Sequence, residues 1–317
     1  MYAGTQTAVA PSRLARFSAY SAIYIIWGAS FLAIRVIVAA VPPLLAAGVR
    51  FLSAGIILFV WAMLRGLPFP KPREWRSALF LGVVMFACNY GPLFWAEQRV
   101  PSGVAAIVSA LIPVWIAGFE WSRSGSAVPI RLLIGTLCGL GGVITLSLTP
   151  SHVSSGRIQL MALLALLVGT VAWAVGTIWS RHLPLPTSKA VSAGIQMMLG
   201  GASLTLASAL SGDAHGFGRS QLTLPIVASM FYLVFAASIL AFTAYVWLLG
   251  HDSATRVASY AYVNPVVAVL LGWGIGGEKL SWQVLSGMIL VLAGVISVLS
   301  RPTTPQPAVS IDARLST

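Results

Sequence analysis

The side chains able to do chemistry are few, and they sit inside apolar runs. Asn264 closes a cluster with Ser259, Tyr260 and Tyr262 and immediately precedes Pro265, while Asn89 and Tyr90 precede Gly91-Pro92 in another run. Trp27 lies between Tyr24 and Ser30 in the stretch Tyr24–Phe31, YIIWGASF, and Trp173 is followed by Thr177. Ser109, just before Pro113, and Tyr245 complete the set. Amides, hydroxyls and aromatic faces of this kind hold small solutes by hydrogen bonds, stacking and cation–π contact. They supply no nucleophile with its base. His152, His182, His215 and His251 fall between the apolar runs or at their ends, and Cys88 and Cys138 stand alone within theirs. No phosphate-binding loop, GxSxG or HExxH is present, so ATP drive and hydrolytic chemistry have no support. The expectation is a binding site for a small molecule, with no metal, no cofactor and no enzymatic reaction.

Each group has a second reading. Trp27 lies about ten residues into its run and Trp173 some fifteen. That is too deep for an interfacial belt, and leaves a cavity wall or core packing. Asn264 either lines a wet cavity, caps the kink made by Pro265, or bonds helix to helix, because a buried amide needs a partner. Pro113 and Pro265 each remove a backbone donor, giving a hinge in one reading and a fixed bend in the other. Gly91-Pro92 predicts an interrupted helix beside Asn89. Arg50 lies two turns into an apolar run, where it must snorkel, face the interior as a structural hydrogen-bond donor, or clamp a carboxylate. Glu97 and Glu278 fall at outer run ends and Glu120 at an inner one. With no acid central in a run, facilitated diffusion or exchange is favoured over proton coupling.

The elements that position these groups follow from composition. The chain of 317 residues is 58% hydrophobic and 8% charged, against roughly 25% charged in soluble domains. Ten apolar stretches run near 17–38, 43–64, 76–95, 102–121, 130–148, 158–180, 188–210, 224–249, 256–276 and 281–299. Each is long enough to cross about 30 Å of hydrocarbon, where unpaired backbone leaves only the helix available. The predicted fold is an all-α integral membrane protein of ten transmembrane helices. The N-terminal pair Arg13 and Arg16 before an apolar run resembles a signal peptide, but the run is too long and nine more follow, so it reads as a retained first span.

The net charge is +12, and thirteen of the nineteen Lys and Arg fall on the side of the N-terminus. Four fall opposite, and Arg35 and Arg50 lie within spans. That asymmetry orients the protein in a membrane with both termini cytoplasmic. Spread over short segments, the charges form no nucleic-acid-binding face. The expected partners are a small-molecule substrate and the lipid bilayer. Gly135-x-x-x-Gly139 and Gly272-x-x-x-Gly276 predict packing within a monomer, with a dimer as the alternative.

The runs repeat. A shift of 146 places Trp27 on Trp173, Gly48 on Gly194 and Gly55 on Gly201; a shift of 152 places Pro113 on Pro265, Gly135 on Gly287 and Gly142 on Gly294. Residues 13–149 and 155–300 are therefore two five-span units, with disordered cytoplasmic tails at 1–12 and 301–317. Five is odd, so the second unit enters the membrane from the opposite side. The halves are inverted repeats, the arrangement that gives alternating access to a midplane site. Asn264 matches Ile112, Tyr262 matches Ala110 and Arg50 matches Gln196, which predicts a lopsided cavity read mainly by the second half.

Tyr24–Phe31, Pro42–Phe51, Val100–Ala106 and Ser259–Gly272 with Gly277-Glu278 together resemble the drug/metabolite transporter superfamily. Within it the chain is similar to EamA-type permeases of the YedA-like branch. The resemblance implies an inner-membrane exporter of amino acids, metabolites or drug-like amphiphiles. A proton-coupled antiporter is the alternative, and a non-transporting receptor or structural subunit is the alternative of another class.

Overall fold

A computed structural model describes residues 12–123, 127–148, 156–215, 217–249, 251–252, 257 and 259–299. The predicted tails, the linker at 149–155, His152 and Arg256 lie outside the described residues, apart from Ser12.

Every described regular element is helical. Ten long helices follow in chain order: α1 Arg13–Val38, α2 Pro43–Leu64, α3 Pro72–Glu97, α4 Ser102–Ser122, α5 Ile130–Ser147, α6 Gly156–Trp179, α7 Lys189–Ser211, α8 Leu224–Leu248, α9 Tyr260–Gly274 and α10 Trp282–Leu299. The first eight are long and apolar enough to cross a membrane, and α9 and α10 are shorter apolar helices. Their starts are written locally. Prolines occupy the first turn of α2, α3 and α8, where the missing N–H would be unpaired in any case. Ser188 Oγ accepts the Val191 N–H at the start of α7. The Schellman-like end of that helix is Gly212 at φ +71°, a left-handed position that suits glycine.

Three helices are irregular near the centre. α1 widens into a π-helical turn over Ala22–Ile26, α3 over Gly82–Ala87 and α8 over Tyr232–Leu240. The expected interruption at Gly91-Pro92 does not occur, because helix continues through Cys88–Glu97. The wide turn just before it ends at Cys88, four residues ahead of Pro92, so the carbonyl a proline cannot engage falls where the ladder is already loosened. The two repeat-related prolines also differ. α4 breaks into Ser102–Ser109 and Ile112–Ser122, with Pro113 in the first turn of the second piece, whereas Pro265 lies inside continuous α9.

Equivalent helices of the two halves pack against each other. A Cβ on Gly55 would lie 2.6 Å from Met198 Cα, and one on Gly201 2.7 Å from Leu52 Cα. Gly48 likewise meets Thr205 and Gly194 meets Phe59. As α2 advances α7 recedes, so the pair is antiparallel, and the glycines let the two backbones touch. α5 and α10 do the same, Gly135 meeting Gly294 and Gly142 meeting Gly287. In α4 and α9, Gly103 meets Val269 and Gly272 meets Ser102. The glycines that align the sequence repeat are thus interface residues inside one chain.

Candidate functional site

α1, α3, α4, α6 and α9 line a central cavity of about 60 Å³. Of the residues singled out in the sequence, Trp27, Ser30, Asn89, Tyr90, Ser109, Trp173, Asn264 and Pro265 line it. Phe31 and Tyr260 add two further rings. No acidic or basic side chain lines it.

The polar atoms facing this space are set by local helix chemistry. Ser30 Oγ donates to the Trp27 carbonyl at 2.6 Å and Ser109 Oγ to the Ala105 carbonyl at 2.9 Å. Both protons are spent within their own helices, which leaves oxygen lone pairs as acceptors. Asn264, with its amide oriented to donate, bonds the main-chain carbonyls of Tyr24 at 3.0 Å and Tyr260 at 3.3 Å. It therefore ties α9 to α1 one residue before Pro265 and keeps its oxygen as an acceptor. Trp173 Nε1 is buried beside the Tyr260 hydroxyl without a well-aligned acceptor. Asn89 packs on Gly169, where a Cβ would lie 3.3 Å from its Nδ2. The wall offers hydrogen-bond acceptors from α1, α4 and α9. Its polar groups come from both halves, whereas the sequence predicts a cavity read mainly by the second half.

Trp27 is anchored as well as exposed to the cavity. Its Nε1 donates to the Ala237 carbonyl at 3.0 Å, and Tyr232 Oη of the same helix, α8, donates to the Ile26 carbonyl at 2.8 Å. The ring stands 5.2 Å from those of both Tyr245 and Tyr260. Tyr90 and Trp173 meet edge to face at 5.9 Å, a favourable quadrupole geometry.

The remaining candidates lie elsewhere. Thr177 and Tyr245 line a second cavity of about 160 Å³ with Lys189, Ser192 and Gln196, toward the side of the N-terminus. An aromatic layer of Trp27, Tyr245, Phe242, Phe86 and Trp173 separates it from the central one. Tyr24 Oη and Ser259 Oγ bond each other at 2.6 Å rather than facing the cavity. Beside them Tyr20 Oη donates to Asp252 at 3.1 Å, and Arg16 lies 4.0 Å from the same carboxylate, closing α1 against the segment before α9. Tyr262 is half-buried and faces away from the cavity, because it lies two residues from both Tyr260 and Asn264 and so on another side of the helix. Pro113 is buried behind Ile112, which takes its place in the wall. Trp115 bonds Thr170 at 2.9 Å and fastens α4 to α6.

Toward the opposite side, Arg35 donates to the carbonyls of Glu97 and Val100. Glu278 accepts the Ser102 and Gly103 N–H groups at 2.7 and 3.3 Å, capping α4. Arg50 does not snorkel, being 1% exposed. Glu97 is fully buried and neither carboxylate oxygen accepts a hydrogen bond; its place at a helix end gave no sign of this. Tyr260 reaches the wall because it lies one turn before Asn264 on the same face of α9.

Comparison with known proteins agrees with this architecture. The profile of the EamA-like transporter family matches residues 19–148 and 160–300. The chain is 37% identical over 298 residues to the uncharacterized inner membrane transporter YedA of Escherichia coli K12, covering 91% of this chain and 92% of YedA. A probable amino-acid metabolite efflux pump of Salmonella typhimurium is 27% identical over 289 residues, covering 86% and 91% of the two chains. A crystal structure at 21% identity superposes with a TM-score of 0.62 over 90% of this chain and 98% of the other, and shares the fold. With both halves matched by one profile, the chain belongs to the EamA-like transporter family.

Proposed function

We propose that the protein is a secondary transporter of a bacterial inner membrane that exports small amphipathic solutes by alternating access, without ATP. The observation that carries this reading is the uncharged central cavity, walled by aromatic faces and hydrogen-bonding groups, between helices whose repeat equivalents run antiparallel. Residues 13–149 and 155–300 act as the two inverted units, with both termini cytoplasmic and the chain a monomer. The ring faces take the apolar part of the solute, and Ser30, Ser109 and Asn264 accept hydrogen bonds from its polar part. Tyr24 with Ser259 closes one side, Arg35 with the Glu97 carbonyl closes the other, and Pro113 and Pro265 serve as hinge points. The membrane location of YedA and the description of the Salmonella relative support the compartment and an amino-acid-like solute.

Glu97 supports a second reading, proton-coupled antiport. The downhill reading rests on the absence of an acid central in a span; Glu97 ends α3, yet it is buried with neither carboxylate oxygen hydrogen-bonded, which gives the protein one sequestered acid. Flux of labelled solutes into and out of liposomes, with and without a pH gradient, tests both readings. The exporter reading expects flux without ATP, and no flux of any solute in a broad panel by folded protein overturns it. Flux unaffected by the pH gradient rejects antiport.

A further inference from the structure

Arg50 and Glu97 are the two ionisable side chains buried to 1% exposure or less among the described residues, and only Arg50 stands next to the cavity. Its guanidinium carbon lies 5.1 Å from the ring centroid of Tyr90, a wall residue, and 4.5 Å from that of Phe51. Nε donates to Ser238 Oγ at 3.0 Å, while Nη1 is buried with no acceptor. No carboxylate lies within 4.0 Å of it, the described ion pairs being Arg16–Asp252 and Arg181–Glu120. Glu97 lies beyond ion-pair distance of it.

A cation held in a low-dielectric interior without a counter-ion creates a positive field across the nearest space. That space is the α3 side of the central cavity, one aromatic ring away. Asn89 and Tyr90 line the cavity on this side. The opposite wall, at Ser30, Ser109 and Asn264, offers acceptors. The cavity is therefore polarised from end to end although its lining carries no charge.

We propose that Arg50 is a specificity-determining residue that reads a carboxylate on the transported solute. The carboxylate turns toward Asn89 and Tyr90, the apolar body lies on the rings of Trp27 and Trp173, and an ammonium or hydroxyl end donates to Ser30 and Ser109. This inference rests on the transport reading and adds a requirement that the reading does not contain. A solute lacking the carboxylate leaves the buried charge uncompensated and loses affinity. The alternative role for Arg50 is a fixed cross-brace between α2, α3 and α8, held by Phe51, Tyr90 and Ser238, indifferent to what occupies the cavity.

The test uses three probes that differ at one group, L-phenylalanine, L-phenylalanine amide and phenethylamine. Binding is read by tryptophan fluorescence and flux by radiolabel in liposomes holding the full chain. Wild-type protein is expected to bind the acid about tenfold more tightly than the amide, the factor given by one 1.4 kcal/mol contact. R50Q is expected to lose that preference and R50K to keep part of it. Ser238→Ala, which releases Nε but keeps the charge, is expected to reduce the preference without abolishing it. Should R50Q fail to fold, the wild-type comparison and Ser238→Ala still decide. Equal wild-type affinity for acid and amide, or an unchanged preference in folded R50Q, overturns the inference. Equal flux of acid and amide overturns it while leaving the transporter reading intact. Flux of none of these probes, nor of any other solute, overturns both.

Discussion

Trp27 gives the sharpest separation of a binding role from a packing role, because its two functions sit on different atoms. Its Nε1 bonds the Ala237 carbonyl in α8, while its ring borders the central cavity and touches Tyr245 and Tyr260. Trp27→Phe keeps an aromatic face and removes the donor, leaving a buried carbonyl unpaired at a cost of about 1–3 kcal/mol. Trp27→Ala removes the ring as well. Large-to-small aromatic changes in cores cost about 3–5 kcal/mol, and one face of this ring already borders empty space, so the low end of that range applies. With Trp27→Ala at about 3 kcal/mol and Trp27→Phe at about 1–3, the two variants differ in stability by no more than about 2 kcal/mol, and both are expected to yield folded protein. Solute affinity should divide them further. Loss of a stacking face costs about 0.5–1.5 kcal/mol beyond area, and loss of the area itself raises the total, so Trp27→Ala is expected to lower flux per folded molecule about tenfold while Trp27→Phe lowers it less than threefold. Thermal unfolding in detergent and flux normalised to folded protein supply the two readings. If flux falls only in proportion to folded protein in both variants, the ring packs the core and does not bind solute.

Three further outcomes follow from the packing. Gly55→Ala sets a Cβ 2.6 Å from the Met198 Cα and should destabilise by about 1–3 kcal/mol; Gly118→Ala, which meets nothing within 4 Å, should gain about 0.5–1 kcal/mol from helix propensity, both measured by melting. Glu278→Gln weakens the carboxylate cap on the Ser102 and Gly103 N–H groups and should cost about 0.5–2 kcal/mol, read as faster hydrogen exchange at the start of α4. Glu120→Gln breaks an exposed pair with Arg181 at 3.3 Å and should change stability by less than about 1 kcal/mol, less still in high salt.

Much of the helix inventory was legible because the hydrocarbon core permits one secondary structure and sets its length. The interface glycines were legible too, since Gly48, Gly55, Gly194 and Gly201 recur at the repeat shift and only a missing Cβ lets α2 and α7 meet. What could not be read was rotation about each helix axis. Tyr262 and Asn264 are two residues apart in one apolar run, and the sequence offers no polar face to say which turns inward; the structure turns Asn264 in and Tyr262 out. The wide turns of α1, α3 and α8 shift that rotation midway along a helix, which a constant 3.6-residue period cannot anticipate. Gly91-Pro92 misled for the same reason, because the irregularity it accompanies lies one turn earlier. Burial at helix ends was equally hidden. Glu97 reads as a surface acid by position, yet it is buried, and Arg35 of α1, sixty-two residues away along the chain, bonds its main-chain carbonyl.

The two halves are equivalent where they meet and different where they enclose the cavity. At α2 with α7, and at α5 with α10, glycine faces glycine-rich backbone from both sides, and exchange of the halves would reproduce the contact. Around the cavity the equivalence fails. α1 carries a wide turn that its counterpart α6 lacks, and α4 breaks ahead of Pro113 whereas α9 runs through Pro265. Asn264 stands where the first half has Ile112, and buried Arg50 stands where the second has Gln196, which instead lines the cavity toward the N-terminal side. A contact surface shared by two inward-facing and outward-facing arrangements gains from symmetry, because both must be of similar energy. A site that binds one asymmetric solute gains from losing it, since an amphiphile has an apolar body and one polar end. Under the alternating access proposed above, divergence around the cavity with glycine contacts kept at the seams is what those two requirements jointly produce.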